Sequence, residues 1–379
     1  MRKIAFGSTE CHKAQPSPPR ATIAACATAL LLAICSLTAC TNDIRPADAA
    51  ERAQVIEQLN LALADRDESA LRDALHYLTS AERERLVANF AKLAAVEFSQ
   101  RDQRTSVSWR TQQSRTAHHA VHASIDCRGN TCALMRLAGV HGQPAPIWLL
   151  GQLHLQEDEQ VSVLCAGACD LTQLSQTAKA AIDDVKAGLP AELRRSWDAR
   201  LVVQEPGSAG IFAEMIGTTS ADLVDVTALT VSFGDVGDTE LPAMVSVITN
   251  ADRYGQLTQA AQRFVMSHEA VHAASDGLGQ PASERRWVAE GIAEQVAIKA
   301  HPQFAEQSGE ILQAACPLGD QPPTDAELLQ AASFADLQLA YARAWALIRQ
   351  IPQDQWAALW RAEGVWANLQ PQLDVREIC

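Results

Sequence analysis

Basic residues are scarce in this chain. Lys and Arg total 31 against 45 Asp and Glu, the formal net charge is −14, and no basic run or stripe stands out. Nucleic acid is therefore excluded as the expected partner, because gripping phosphates needs a positive patch. Long apolar runs are missing after the N-terminal region, which leaves no second membrane-spanning segment. Internal repeats and low-complexity linkers are missing too, which sets aside repeat arrays and disordered tethers. Tyrosine occurs only 3 times, so a phenol near a reactive site is easy to pick out. The apolar fraction, 47%, is ordinary and sufficient for globular cores.

The one long apolar run is Ala21 to Leu37. Arg2, Lys3, Lys13 and Arg20 precede it, and Leu37-Thr38-Ala39-Cys40 closes it. Basic, then apolar, then small residues is the order of a secretory signal. Its basic part is long and carries Pro16, Pro18 and Pro19, which points to a start further downstream. Leu-Thr-Ala-Cys resembles the bacterial lipobox. That resemblance implies loss of residues 1–39, lipidation of Cys40 and an extracytoplasmic protein anchored to a bacterial envelope membrane. Cys11, Cys26 and Cys35 then leave with the signal. Six cysteines remain: Cys127, Cys132, Cys165, Cys169, Cys316 and Cys379. An even number in an oxidising compartment points to disulfides. Local loops Cys127–Cys132 and Cys165–Cys169 are favoured, leaving Cys316–Cys379 to pin the C-terminus. A four-cysteine zinc site is the rival for the first four, although their spacings suit it less well than paired CxxC motifs.

A length of 379 residues suggests two or three domains. Residues 40–50 read as a polar tether. Val55, Leu59, Ala62 and Leu63 then keep helical spacing. Asp67 is placed to cap a second helix, and Thr79 with Glu82 forms a capping box before a third. From Thr105 the period changes to two. Ser106–Gln113, Ala120–Cys127, Cys132–Val140, Pro146–Leu155 and Val161–Cys165 read as successive strands. Helices followed by an antiparallel meander predict an α+β domain over 51–170. Its outline resembles the cone-like cystatin and nuclear-transport-factor modules. His118, His119 and His122 fall in one of its strands, where alternation sends them to opposite faces as solvated side chains. Residues 171–379 begin with a helix to about Leu189. Strands at Leu201–Gln204, Val226–Phe233 and Met244–Thr249 follow, with a helix near Ala209–Ile216 after the first. Helices near Pro302–Ala315, Asp325–Ala332, Leu337–Gln350 and Gln353–Ala362 end the chain.

The stretch with the sharpest chemistry is Phe264 to Glu294. It holds His268-Glu269-Ala270-Val271-His272, an HExxH pattern, then Trp287-Val288-Ala289-Glu290-Gly291-Ile292-Ala293-Glu294. Residues four apart share one helix face, so His268 and His272 can aim two imidazoles at one point. That is a spacing a tetrahedral Zn2+ accepts. Glu269 sits beside them and can take a proton from a water that such an ion activates. Thr258 is a plausible cap for this helix, and Gly277 follows its end. A second helix is expected from about Glu284 to Lys299, capped by Ser283 and stopped by Pro302.

HEAVH followed by WVAEGIAE resembles the gluzincin, or peptidase MA-like, metallopeptidases. The resemblance is clear over about Leu241 to Lys299. It implies a thermolysin-like α+β domain with a helical C-terminal lobe. It also implies one Zn2+ on His268, His272 and Glu290, with Glu294 as the acid behind the ligands and Glu269 as the base. Gly291 would let the two helices approach closely. The strand before the motif, Met244–Thr249, would be the sheet edge that receives an extended peptide. The oxyanion donor is open: Tyr341 is the one tyrosine after the motif, and His301 is the other candidate. No GAMEN-like stretch precedes HEAVH, which sets aminopeptidase activity in doubt and leaves endopeptidase activity open.

The expected function is thus peptide-bond hydrolysis by a membrane-anchored zinc enzyme acting on a peptide or protein. The alternative is a non-catalytic envelope lipoprotein, with a metal-stabilised scaffold and a partner-binding N-terminal domain. A further expectation is that the N-terminal domain covers the cleft, which truncation near residue 172 would relieve.

Overall fold

The computed structural model describes residues 44–101, 104–113, 118–140, 143–219, 226–233, 244–279, 281, 285–317 and 321–361. The chain divides into two compact units, Met1–Thr41 and Asn42–Cys379. All described residues belong to the second. The lipidation site Cys40, the cysteine Cys379 and the cap Ser283 lie outside them.

The structure is mixed α+β. Strand β1, Ile44–Pro46, comes first and pairs antiparallel with β4, His118–Arg128. Part of the expected tether is therefore sheet. Helices α1 (Ala49–Ala64), α2 (Glu68–Ala74) and α3 (Ser80–Phe90) follow. Asp67 caps α2, and Thr79 with Glu82 forms the capping box of α3. Strands β2 (Ala95–Arg101), β3 (Arg104–Arg110) and β5 (Thr131–Gly139) complete the first sheet around β4. All of its pairs are antiparallel.

Two expectations fail next. Pro146–Leu155 is not one strand: Ile147–Leu150 forms the short helix α4, and β6 covers Leu153–Glu157. A short apolar run has no period that separates a buried helix turn from a strand. Nor does the first meander run on through Cys165. β6 pairs with β7, Val161–Ala166, and both belong to a second sheet in the order β6-β7-β8-β10-β9. There β8 is Leu201–Pro206, β9 Ala228–Phe233 and β10 Met244–Thr249. β7, β8 and β10 run parallel, while β6 and β9 are antiparallel additions at the two edges. The strand before the HExxH helix is thus interior, and the edge is β9.

This second sheet is buried on both faces. Val161, Val163, Val203 and Val247 point into one core. Their neighbours Leu164, Ala166 and Ile248 point into another, shared with α1, α3 and the first sheet. Parallel strands covered on both sides need such continuous apolar runs. The first of these cores holds α5 (Leu171–Gly188) and α8 (Gln259–Ser275). It also holds α9 (Arg286–Ala300), α12 (Phe334–Ile348) and α13 (Trp356–Arg361). Smaller helices fill the joins: α6 (Ala209–Ile216), α7 (Ala251–Tyr254), α10 (Phe304–Ala314) and α11 (Asp325–Leu329). Among the described residues no helix is long and apolar enough to cross a membrane.

Cys127–Cys132 and Cys165–Cys169 are disulfides, which removes the four-cysteine metal site. Cys316 is also disulfide-bonded. His118 is not solvated: it is buried and packs edge-on against Trp109, with ring centroids 5.0 Å apart.

Candidate metal centre

Helix α8 carries the HExxH residues. Its N-cap is Thr258, whose hydroxyl accepts from the Ala261 backbone N–H. Helix α9 carries Glu290 and Glu294. Arg285 occupies its N-cap position without a side-chain cap bond, and His301 and Pro302 end it. Gly291 packs α9 onto α12 rather than onto α8. A Cβ there would stand 2.6 Å from both the Ala344 carbonyl oxygen and Ile348 Cγ1. Trp345 Nε1 on α12 also donates to Gln295 Oε1 on α9 at 2.7 Å. The helix bearing Glu290 is thereby seated from behind, and its carboxylate projects toward α8.

Three atoms converge where the helices face each other. His272 Nε2 lies 3.0 Å from Glu290 Oε2 and His268 Nε2 lies 3.2 Å from His272 Nε2. His268 Nε2 lies 3.4 Å from Glu290 Oε2. Ligands about 2.0–2.1 Å from a tetrahedral ion stand roughly 3.3–3.4 Å apart, so this triangle is nearly the right size for three corners. The donor chemistry agrees. His268 Nδ1 sits 3.1 Å from Glu294 Oε2, and a neutral ring donating there leaves the Nε2 lone pair facing inward. A single proton can bridge two of the three inward atoms but not all three, whereas a cation satisfies the set. Among the described residues one other group has metal-ligand proximity, Glu51 with Cys127 and Cys132, and its cysteines are bonded to each other.

The electrostatics of the cluster follow from burial and from its neighbours. His268, Glu269, Glu290 and Glu294 are all under a tenth exposed. Burial works against charge on His268, but hydrogen bonds to Glu290 and Glu294 outweigh it and hold its pKa well above the ordinary value. Burial would raise Glu290, but His272 and His268 beside it hold its carboxyl well below the usual range.

Glu269 is not among the converging atoms. Thr230, on edge strand β9, stands 2.6 Å from Glu269 Oε2 and 2.9 Å from its backbone oxygen. Two residues along β9, Ser232 Oγ donates to Asp276 Oδ1 at 2.8 Å, just past the end of α8. Alternation along a strand puts Thr230 and Ser232 on the same face, the one turned to α8. No motif marks Thr230 in the sequence. It precedes Glu269 by 39 residues, and its only signal is a hydroxyl residue on a strand near the motif.

The cluster opens into a cleft of about 670 Å³. Tyr341 of α12 lines it, its ring 5.7 Å from that of His268. Burial first, then the Glu290, Glu269 and Glu294 carboxylates, push its phenol well above the ordinary range, so it keeps its proton. Phe264, Phe304, Leu328 and Leu337 form an apolar wall, and Leu329 and Phe334 stand exposed at its lip. Arg286 is the one lysine or arginine on the described lining, 4.0 Å from Glu290 Oε1. His301 is elsewhere. It is buried at the far side of α8, 3.1 Å from Asp184 Oδ2 and 3.4 Å from Ser267 Oγ. There it braces α5, α8 and the end of α9, off the lining of the cleft.

No family model, curated protein or solved structure matches this chain.

Proposed function

We propose that this chain is a zinc metallopeptidase of the gluzincin kind. The observation that carries the reading is the convergence of His268 Nε2, His272 Nε2 and Glu290 Oε2 in an open cleft, with the carboxylate of Glu269 beside them and outside the converging set. Two imidazoles and one carboxylate are the donor set of catalytic zinc sites that keep a fourth position open. When bound, Zn2+ supplies a Lewis acid that polarises a carbonyl and makes water acidic near neutral pH. Glu269 takes the proton from the attacking water and returns it to the leaving amine, as a general base and then acid. Glu294 holds the His268 ring in one tautomer and orientation through Nδ1. Tyr341, kept protonated, donates a hydrogen bond to the carbonyl oxygen under attack.

The substrate in this reading is an extended peptide. β9 is an edge strand of the second sheet and lines the cleft through Ala228, Leu229 and Thr230. An open strand edge offers backbone N–H and C=O groups to a chain laid alongside it. The cone-like character of the N-terminal half has similar support, in helices α1–α3 preceding an antiparallel sheet. The envelope location and the lipid at Cys40 rest on the sequence reading alone.

Glu269→Gln tests the mechanism, because it keeps shape and hydrogen-bonding capacity while removing the base. Zinc content should stay at one per chain while cleavage of a peptide library falls at least about 100-fold. A zinc-replete Glu269→Gln protein that cleaves at the wild-type rate would overturn the proposal.

A further inference from the structure

We infer that Thr230 is a positioning residue for Glu269, fixing the general base from the strand beside which the substrate lies. The inference rests on the hydrolase reading above and assigns a residue that no motif reaches. The hydroxyl has one proton and two acceptors in range, Glu269 Oε2 at 2.6 Å and the Glu269 carbonyl oxygen at 2.9 Å. Carbonyls inside a helix already accept from the N–H four residues on. The proton therefore goes to the carboxylate, which is nearer and charged. Such charge-assisted bonds are short and stronger than neutral ones.

The arrangement constrains direction as well as distance. Glu269 is a flexible side chain close to imidazoles that could draw it into the cluster. Thr230 is β-branched and has few rotamers, so its hydroxyl is a stiff anchor. It stands on a strand held at both ends of this contact. β10 pairs with β9 in register, Val247 opposite Thr230, and Ser232 ties the same face of β9 to Asp276 beyond α8. Glu269 is thus held off the metal ligands by a group whose own backbone borders the cleft. A substrate paired along β9 then meets the base at a fixed register. Removing the hydroxyl should loosen the base without altering the strand edge, so turnover falls and substrate affinity does not.

The test uses the full chain, with the best-cleaved peptide from a quenched-fluorescent library as probe. Thr230→Val keeps the β-branch and the strand while deleting the donor. Its kcat should fall about 10-fold or more, the scale of a lost hydrogen bond to a charged group, with KM within about twofold of wild type and zinc content unchanged. Thr230→Ser restores the hydroxyl and should recover most of the loss. A second readout needs neither metal nor turnover. In metal-free protein, the carboxylate infrared band identified as Glu269 by its absence from Glu269→Gln should shift in Thr230→Val. Wild-type kcat in Thr230→Val, an unshifted band, or a Thr230→Ser variant as slow as Thr230→Val would each overturn the inference. Failure of the hydrolase reading looks different: wild-type protein would cleave no peptide of the library, or Glu269→Gln would cleave as fast as wild type, while the infrared readout would stand unaffected.

Discussion

His268 on α8 and Glu294 on α9 are locked together, Nδ1 to Oε2, at 3.1 Å in a site under a tenth exposed. The contact sets which imidazole nitrogen faces the cleft, and in the proposed function that nitrogen is the ligand atom. Glu294→Ala should therefore weaken zinc binding by roughly 10-fold or more without removing an inward-facing atom. Competition with a chelator of known affinity measures this. Wild-type affinity would mean that the ring is oriented by something else.

The inward-facing residues should behave differently. His272→Ala and Glu290→Ala each remove one corner of the triangle formed with His268. Both should lose stoichiometric zinc and activity together, where Glu269→Gln loses activity alone. Elemental analysis of the purified variants decides this, and zinc retained at one per chain in either would reject the ligand set.

Metal binding should release a proton. In the metal-free protein burial disfavours a charged His268, but Glu290 and Glu294 prevail and hold its pKa well above the ordinary 6.5. A raised pKa means that a proton is bound at neutral pH, and it must leave when a metal takes Nε2. Glu290, held below its ordinary 4.5 despite burial, has no proton to give at that pH. Affinity should accordingly rise as pH climbs through neutrality. Titration calorimetry near pH 7 in two buffers of different ionisation enthalpy should give different apparent heats. Equal heats would contradict proton release.

Gly291→Ala tests how α9, which carries Glu290 and Glu294, is seated. The added methyl carbon would lie 2.6 Å from the Ala344 carbonyl oxygen and Ile348 Cγ1 on α12. Backbone cannot yield as a flexible side chain does, so α9 must shift. The cost should be about 1–3 kcal/mol, typical of overpacking, read from urea unfolding of the metal-free protein. Zinc affinity should fall as well, because Glu290 precedes Gly291 in the chain. An unchanged midpoint would show that the α9–α12 contact is slack.

Local chemistry was the legible part of the sequence. The i, i+4 histidines, the caps at Asp67, Thr79 and Thr258, and helix α6 follow from periodicity and hydrogen-bonding side chains within a few residues. Glu290 and Glu294 were legible through the gluzincin resemblance, and the folded chain brings both to the histidines. What was hidden is non-local. Val161–Ala166 reads as a strand in either sheet, and only its pairing with β8 assigns it to the second. The gluzincin resemblance implies an edge strand at β10, but in the folded sheet β9 lies outside it, and no local pattern in the chain gives spatial order in a sheet. β2 follows α3 so closely that its alternation, Val96 and Phe98 inward, was lost in the tail of the helical pattern. Thr230 meets Glu269 only through tertiary folding.

The second sheet, with a core against each face, changes what the N-terminal half can be to this protein. A cut near residue 172 would take β6 and β7 from a five-stranded sheet and bare apolar residues that share a core with the first sheet, among them Ile248. The halves are not separable cartridges. A protease could not release a working second half by shedding the first, and recombination at that point would not pass on a foldable unit. Any control the N-terminal half exerts over the cleft has to act with the chain whole, through the wall that the two cores share.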